Sequence, residues 1–142
     1  MTEISNDRTR QLDRAHVFHS WSAQGALDPM VFAGGSGVDI WDYEGNTWLD
    51  FSSQLVNVNI GHQHPAVVDA IKAQADTLTT IAPAHANLAR GEAASRILAK
   101  AGGHFGAAIC TGGGADANEN AIRLARLTTG RGKVLSMYRS YH

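Results

Sequence analysis

The stretch Ala107-Ala108-Ile109-Cys110-Thr111-Gly112-Gly113-Gly114-Ala115-Asp116-Ala117-Asn118-Glu119-Asn120-Ala121 decides the fold. Small apolar residues at 107–110 read as a short strand, the glycines interrupt it, and a helix-forming run starts at Ala115 and extends to about Leu127. This order is how α/β proteins seat an anion. Glycines let the backbone approach, and the unpaired N–H groups of the first helical turn hold the charge with the helix dipole behind them. Two better-known cradles are excluded. No Gly-Lys-Ser/Thr follows the glycines, so the run is not a P-loop. Three consecutive glycines do not give the G-x-G-x-x-G dinucleotide fingerprint. Read from the residues alone, the run is either an anion seat or a tight turn with glycines for packing. Asp116 favours the dipole but would repel a nearby anion, so its side chain is expected to point aside.

Downstream, Thr129-Gly130-Arg131-Gly132 closes the helix and 133–137 reads as a strand, parallel to 107–111 if the crossover is right-handed. Upstream, a helix over 87–100 ends at Gly102-Gly103. A loop around Pro83 precedes it, and a helix over 66–78 opens on Pro65. The run Leu55-Val56-Asn57-Val58-Asn59-Ile60 alternates and predicts another strand. Strands around Ile40 and Trp48 flank Gly45-Asn46, which supply the positive φ values of a hairpin turn. A short helix is expected near 7–16. The chain is therefore read as α/β, with a small antiparallel N-terminal part, then helices, then a βαβ unit.

Composition narrows the class. With 142 residues, 44% apolar content and a net charge of −1, the chain can bury a core and carries no basic footprint for nucleic acid or an anionic membrane. One cysteine excludes an intrachain disulfide framework and fits a reducing cytoplasm. Residues 1–13 lack the apolar core of a signal peptide, and no apolar run approaches membrane-spanning length. His62 and His64 flank a turn without the further ligands a metal site needs, so no metal is expected. Cys110 is expected to be buried in its strand. Glu119, Arg123 and Arg126 suit a solvated helix face.

Four ordered segments resemble the class III aminotransferases, pyridoxal-phosphate enzymes of fold type I that include the omega-aminotransferases. Gly113-Gly114-Ala115-Asp116-Ala117-Asn118-Glu119 is similar to their phosphate-binding run, with Gly112 in place of the common Asn and Asp116 in place of the common Glu. Asp42-Tyr43-Glu44-Gly45-Asn46-Thr47-Trp48-Leu49-Asp50 resembles their hairpin. Asn59-Ile60-Gly61-His62-Gln63-His64-Pro65 resembles their Asn-x-Gly-His-x-x-Pro turn, and 134–142 resembles the strand that ends in Tyr-His-Gly.

The resemblance implies roles at the matching positions. Gly113, Gly114 and Ala115 would hold the phosphate of pyridoxal 5'-phosphate through backbone N–H groups. Tyr141 would stack on the pyridine ring, with His142 close by. Trp21, Leu55 and Val56 would line the substrate pocket, although core packing is the alternative for Trp21 and Leu55. The loop at 81–85 would reach the neighbouring subunit of a homodimer. The implied reaction moves an amino group from an amine or omega-amino acid to a keto acid such as pyruvate. The lysine that forms the Schiff base is not matched by Lys72, Lys100 or Lys133, the three lysines present. The resemblance also implies an N-terminal segment with an antiparallel hairpin over 1–63 and the start of the large parallel-sheet, cofactor-binding domain over 64–142, so the chain is expected to be an N-terminal part of such an enzyme, with no catalytic residue of its own and inactive alone. A non-catalytic phosphate-ligand or partner-binding module, or a Rossmann-like nucleotide-binding protein, are the alternatives.

Overall fold

The structure is a computed structural model and describes residues 4–141. The chain divides into two compact units, residues 1–80 and 81–142.

The first unit opens with helix α1 (Asn6–His16). Ser5 caps it by accepting a hydrogen bond from the Arg8 N–H, and Asp7 sits in the first turn, where the dipole favours a carboxylate. A single 3-10 turn follows at Gln24–Ala26. Three short strands, β1 (Gly34–Ser36), β2 (Asp39–Trp41) and β3 (Thr47–Leu49), form an antiparallel meander with β2 in the middle. Ile40 lies opposite Trp48 and Gly35. Among the described residues, Ile40 and Val31 are the buried apolar side chains. Phe32 meets Trp48 edge to face at 5.8 Å. Gly34 is required by close approach, since a Cβ there would stand 2.8 Å from the Trp41 indole.

The hairpin lies where it was expected, but its turn works differently. Gly45 alone has positive φ (87°); Asn46 does not. The turn is shaped instead by the Asp42 carboxylate, which accepts from the N–H groups of Glu44 and Asn46 at 2.9 Å each.

The predicted strand over 55–60 is not formed. In its place, α2 (Ser53–Val56) is one turn of left-handed backbone, with φ of 49°, 49°, 56° and 65° at Ser53, Gln54, Leu55 and Val56. Alternating apolar residues carry no information about the sign of φ, and contacts made from outside the segment hold this turn. L-residues adopt the left-handed region at a cost of roughly 1–2 kcal/mol each. Gln54→Gly is therefore expected to raise the stability of this unit by about 1 kcal/mol, even after glycine's larger loss of chain entropy. A urea titration of the two proteins checks this.

Helix α3 (Pro65–Thr77) starts on Pro65, whose fixed φ suits the first helical position. In the second unit, α4 (Leu88–Ala101) is capped by Asn87, which accepts from the Arg90 N–H, and ends at Gly102 with φ 88°. Helix α5 (Gly114–Thr129) ends at Gly130 in the left-handed conformation. These three helices match the expected ones closely.

The segments 107–110 and 133–137 are not strands in this structure, and they do not pair with each other. A strand exists only in a ladder, and among the described residues the strands that pair are β1, β2 and β3. Cys110, expected in a buried strand, is consequently exposed. Large apolar side chains also stand open on the helices, including Val67 and Ile71 of α3, Leu88 and Ile97 of α4, and Leu124 and Leu127 of α5.

Candidate cofactor and substrate site

In the second unit, the glycine run delivers the chain into α5. Gly113 is the N-cap residue, with extended backbone (φ −175°, ψ 178°), and no side chain caps the helix. The first main-chain bond of the helix runs from the Ala117 N–H to the Gly113 oxygen at 3.0 Å. Among the described residues, the N–H groups of Gly114, Ala115 and Asp116 meet no acceptor. A Cβ built on Gly113 or Gly114 would meet nothing within 4 Å. Neither backbone conformation nor a neighbour in the described chain therefore demands glycine at these two positions. What glycine gives here is open space in front of three unpaired donors. This geometry fits a phosphate held by backbone N–H groups at a helix start. The Asp116 carboxylate turns back against the loop, where a Cβ on Gly112 would stand 3.1 Å from its Oδ2.

Tyr141 follows a bend closed by the Ser140 N–H bonding the Met137 oxygen at 3.1 Å, with Arg139 at φ 62°. The Arg139 guanidinium lies 5.6 Å from the centre of the Tyr138 ring. The Tyr141 side chain is largely exposed. His142 lies outside the described residues. The loop at 81–85 is fastened to α4 by Arg90, whose guanidinium donates to the carbonyls of Pro83 and His85.

Trp21, Leu55 and Val56, expected to line a substrate pocket, fall in the first unit. Leu55 and Val56 project from the left-handed turn with 80% and 73% of their surface open, so they form no part of this unit's core. Trp21 is exposed in the segment before the 3-10 turn, with φ 59°.

Two residues that sequence reasoning assigned no role organise this region. Asp50, at the end of β3, is 4% exposed at its side chain, and the His62 imidazole is 18% exposed. His62 Nε2 and Asp50 Oδ2 are 2.7 Å apart. Asp50 also accepts from the Ser52 hydroxyl at 3.2 Å and the Gln54 N–H at 3.3 Å. The bond from His62 is the largest influence on the Asp50 carboxyl; it outweighs burial and, with Gln54 and Ser52, holds the group below its ordinary range. The ionised carboxylate can only accept, so the imidazole Nε2 is the donor. Both residues stand inside the quoted motifs, but a contact between positions twelve apart leaves no local signal.

Among the described residues, no cluster of three or more His, Cys, Asp or Glu side chains could hold a metal ion. No helix among them is long and apolar enough to cross a membrane.

Open donors behind two unconstrained glycines, on a helix reached through a glycine loop, form a helix start that could hold a phosphate. The family model described as Aminotransferase class-III matches residues 22–142, and the chain belongs to this family. Acetylornithine aminotransferase of Caldanaerobacter subterraneus subsp. tengcongensis is 38% identical over 120 residues, covering 80% of this chain and 30% of that protein. The 2-aminoadipate transaminase of Pseudomonas putida is 34% identical over 120 residues, covering 82% of this chain and 28% of that protein. Among solved structures, taurine:2-oxoglutarate aminotransferase from Bifidobacterium kashiwanohense, in complex with PLP and glutamate, superposes with a TM-score of 0.92 at 40% identity, covering all of this chain and 32% of that one. The chain thus has the fold of an N-terminal portion of the fold type I transferases, and it spans about a third of the length of the relatives it matches. The cofactor of this family is pyridoxal phosphate.

Proposed function

We propose that the chain supplies the phosphate seat and part of the donor pocket of a pyridoxal-phosphate-dependent aminotransferase. The observation that carries this reading is the uncapped start of α5, with unpaired N–H groups on Gly114, Ala115 and Asp116. Gly113, Gly114 and Ala115 would hold the phosphate, and Tyr141, with His142, would orient the ring. When bound, the cofactor would supply an aldehyde carbon to carry the amino group from donor to acceptor and an electron-accepting ring beside it. Backbone donors suit the phosphate because they are fixed before binding and need no reorganisation. Leu55, Val56 and Trp21 would present apolar surface to the donor, an amine or omega-amino acid, with a keto acid such as pyruvate as acceptor. The working protein is a cytoplasmic homodimer in this reading, with the loop at 81–85 reaching its neighbour.

Lys72, Lys100 and Lys133 are all exposed, the first two on helices and the third in the segment after Gly132. Among the described residues, none of the three lies in an ion pair or a buried setting that would tune it as a nucleophile, and none matches the family's lysine position. Residues 1–142 alone are therefore expected to give no stable pyridoxyl adduct after borohydride treatment. Peptide mapping checks this. A stoichiometric adduct on one of the three lysines would overturn the assignment of the catalytic lysine to a position beyond them. Tight binding of NAD or ATP without any spectral response to pyridoxal phosphate would overturn the cofactor assignment.

A further inference from the structure

The left-handed turn Ser53–Val56 is strained, yet the strain puts Leu55 and Val56 into the open rather than into a core. Backbone strain persists only where surrounding structure over-determines it. That surrounding structure is compact. The Asp50 carboxylate grips the turn's entrance through the Gln54 N–H and the Ser52 hydroxyl, and its backbone oxygen accepts from the Ser53 N–H at 3.4 Å. The remaining Asp50 oxygen is taken by His62.

His62 is itself fixed on three sides. Its main chain exchanges two hydrogen bonds with Gly37, at 3.0 and 2.7 Å. Its ring lies against Gly35, where a Cβ would stand 3.0 Å from the imidazole Cγ. Gly61, with φ 89°, brings the chain close to Gly37, and a Cβ there would stand 3.0 Å from the Gly37 oxygen. The Asp50 main chain is tied to the same place by its N–H bond to the Val38 oxygen at 2.8 Å. A cavity of about 110 Å³ lies between the turn and this frame, lined by Gly37, Asp50, Ser53, Asn59 and His62 among others.

We propose that Asp50 and His62 are a positioning pair that locks the turn Ser53–Val56 in its left-handed form and thereby sets which amino donors the pocket accepts. The mechanism is mechanical. Releasing either partner removes the acceptor alignment that holds the Gln54 N–H, and the turn relaxes toward right-handed or extended backbone. Leu55 and Val56 then move by the width of a side chain, a displacement that changes which donor length fits. The donor half of this inference rests on the reading of Leu55 and Val56 as pocket residues.

The test uses the protein expressed from its whole reading frame, with His62→Ala, His62→Gln, Asp50→Ala and Leu55→Ala variants. Crystal structures give φ at 53–56. Steady-state kinetics compare 4-aminobutyrate with 6-aminohexanoate as donors, with pyruvate as acceptor. His62→Ala and Asp50→Ala are expected to lose positive φ at Gln54 and Leu55. They are also expected to shift the ratio of kcat/KM for the two donors roughly tenfold, through KM, with affinity for pyridoxal phosphate unchanged. His62→Gln keeps an N–H donor for Asp50 and is expected to restore both properties; a role in bulk stability alone would not predict this rescue. A turn that stays left-handed in His62→Ala and Asp50→Ala overturns the proposal. So does an unchanged donor ratio in these variants when Leu55→Ala does change it. An unchanged ratio in Leu55→Ala instead refutes the pocket reading, and the lock then stands or falls on φ at 53–56.

Discussion

Gly113→Asp is expected to weaken pyridoxal-phosphate binding about 100-fold, roughly 2.7 kcal/mol, while leaving α5 as stable as before or slightly more so. The two effects have one cause. Position 113 is the N-cap, and aspartate is among the best residues there because its carboxylate accepts from the N–H groups of the first turn. The Ala115 N–H of that turn is one of the proposed phosphate donors and the others lie beside it, so the new side chain satisfies the helix by filling the seat and repels the incoming dianion. The backbone raises no obstacle, since φ is −175° and a Cβ meets nothing within 4 Å. Gly113→Asn separates charge from capping. It caps comparably without a charge and is expected to lose only about tenfold. Cofactor titration followed by fluorescence, alongside thermal melting, measures both. Unchanged affinity in Gly113→Asp would place the phosphate away from this helix.

The second large effect is expected at Asp42. Its side chain is buried, and it accepts four hydrogen bonds: from Asn6 Nδ2 at 2.9 Å, Asn46 Nδ2 at 2.8 Å, and the N–H groups of Glu44 and Asn46. Burial pushes the carboxyl pKa up, but the bonds from Asn46, Asn6 and Glu44 outweigh it and bring it from 3.8 down to about 2. A depressed folded-state pKa means that the stabilising contribution is present in full above about pH 4. It is lost as the pH falls through the folded value near 2. Asp42→Ala is expected to speed amide exchange at Tyr43, Glu44 and Asn46 by about tenfold or more at neutral pH, because the Glu44 and Asn46 N–H groups lose their acceptor and Asn6, which accepts from the Tyr43 N–H, loses its anchor. It is also expected to abolish the wild type's acid-induced rise in exchange between pH 4 and 2. Hydrogen-exchange mass spectrometry reads both. A variant that keeps the wild-type pH profile would show that another group controls the hairpin.

The sequence made the helices legible because their signals are local. Gly102 after α4, Pro65 at the head of α3 and Gly130 after α5 each act within one turn of the helix they bound. The glycine run was legible for the same reason, and its helix starts one residue from where the pattern predicted. The segments at 107–110 and 133–137 were over-read, because apolar character marks a residue suited to a sheet without providing the neighbouring strand. The misreading of 55–60 has a different origin. Leu55 and Val56 have ordinary strand propensity, and what turns them left-handed is Asp50 gripping Gln54 while His62 grips Asp50. Such a cause lies in the third dimension, and no period in the sequence encodes it.

The bond between Asn6 and Asp42 spans 36 residues and also fixes the order in which this protein can be assembled. Asn6 donates to the carboxylate and accepts from the Tyr43 N–H at 3.1 Å, so the head of α1 has its anchors in a turn made much later. At about 5–20 residues per second, the ribosome leaves α1 without them for a few seconds. An eleven-residue helix is marginal on its own over that interval. Helix α1 is made before the hairpin, yet it is among the last elements of its unit to be secured, because it becomes fixed only when the hairpin closes around Asp42.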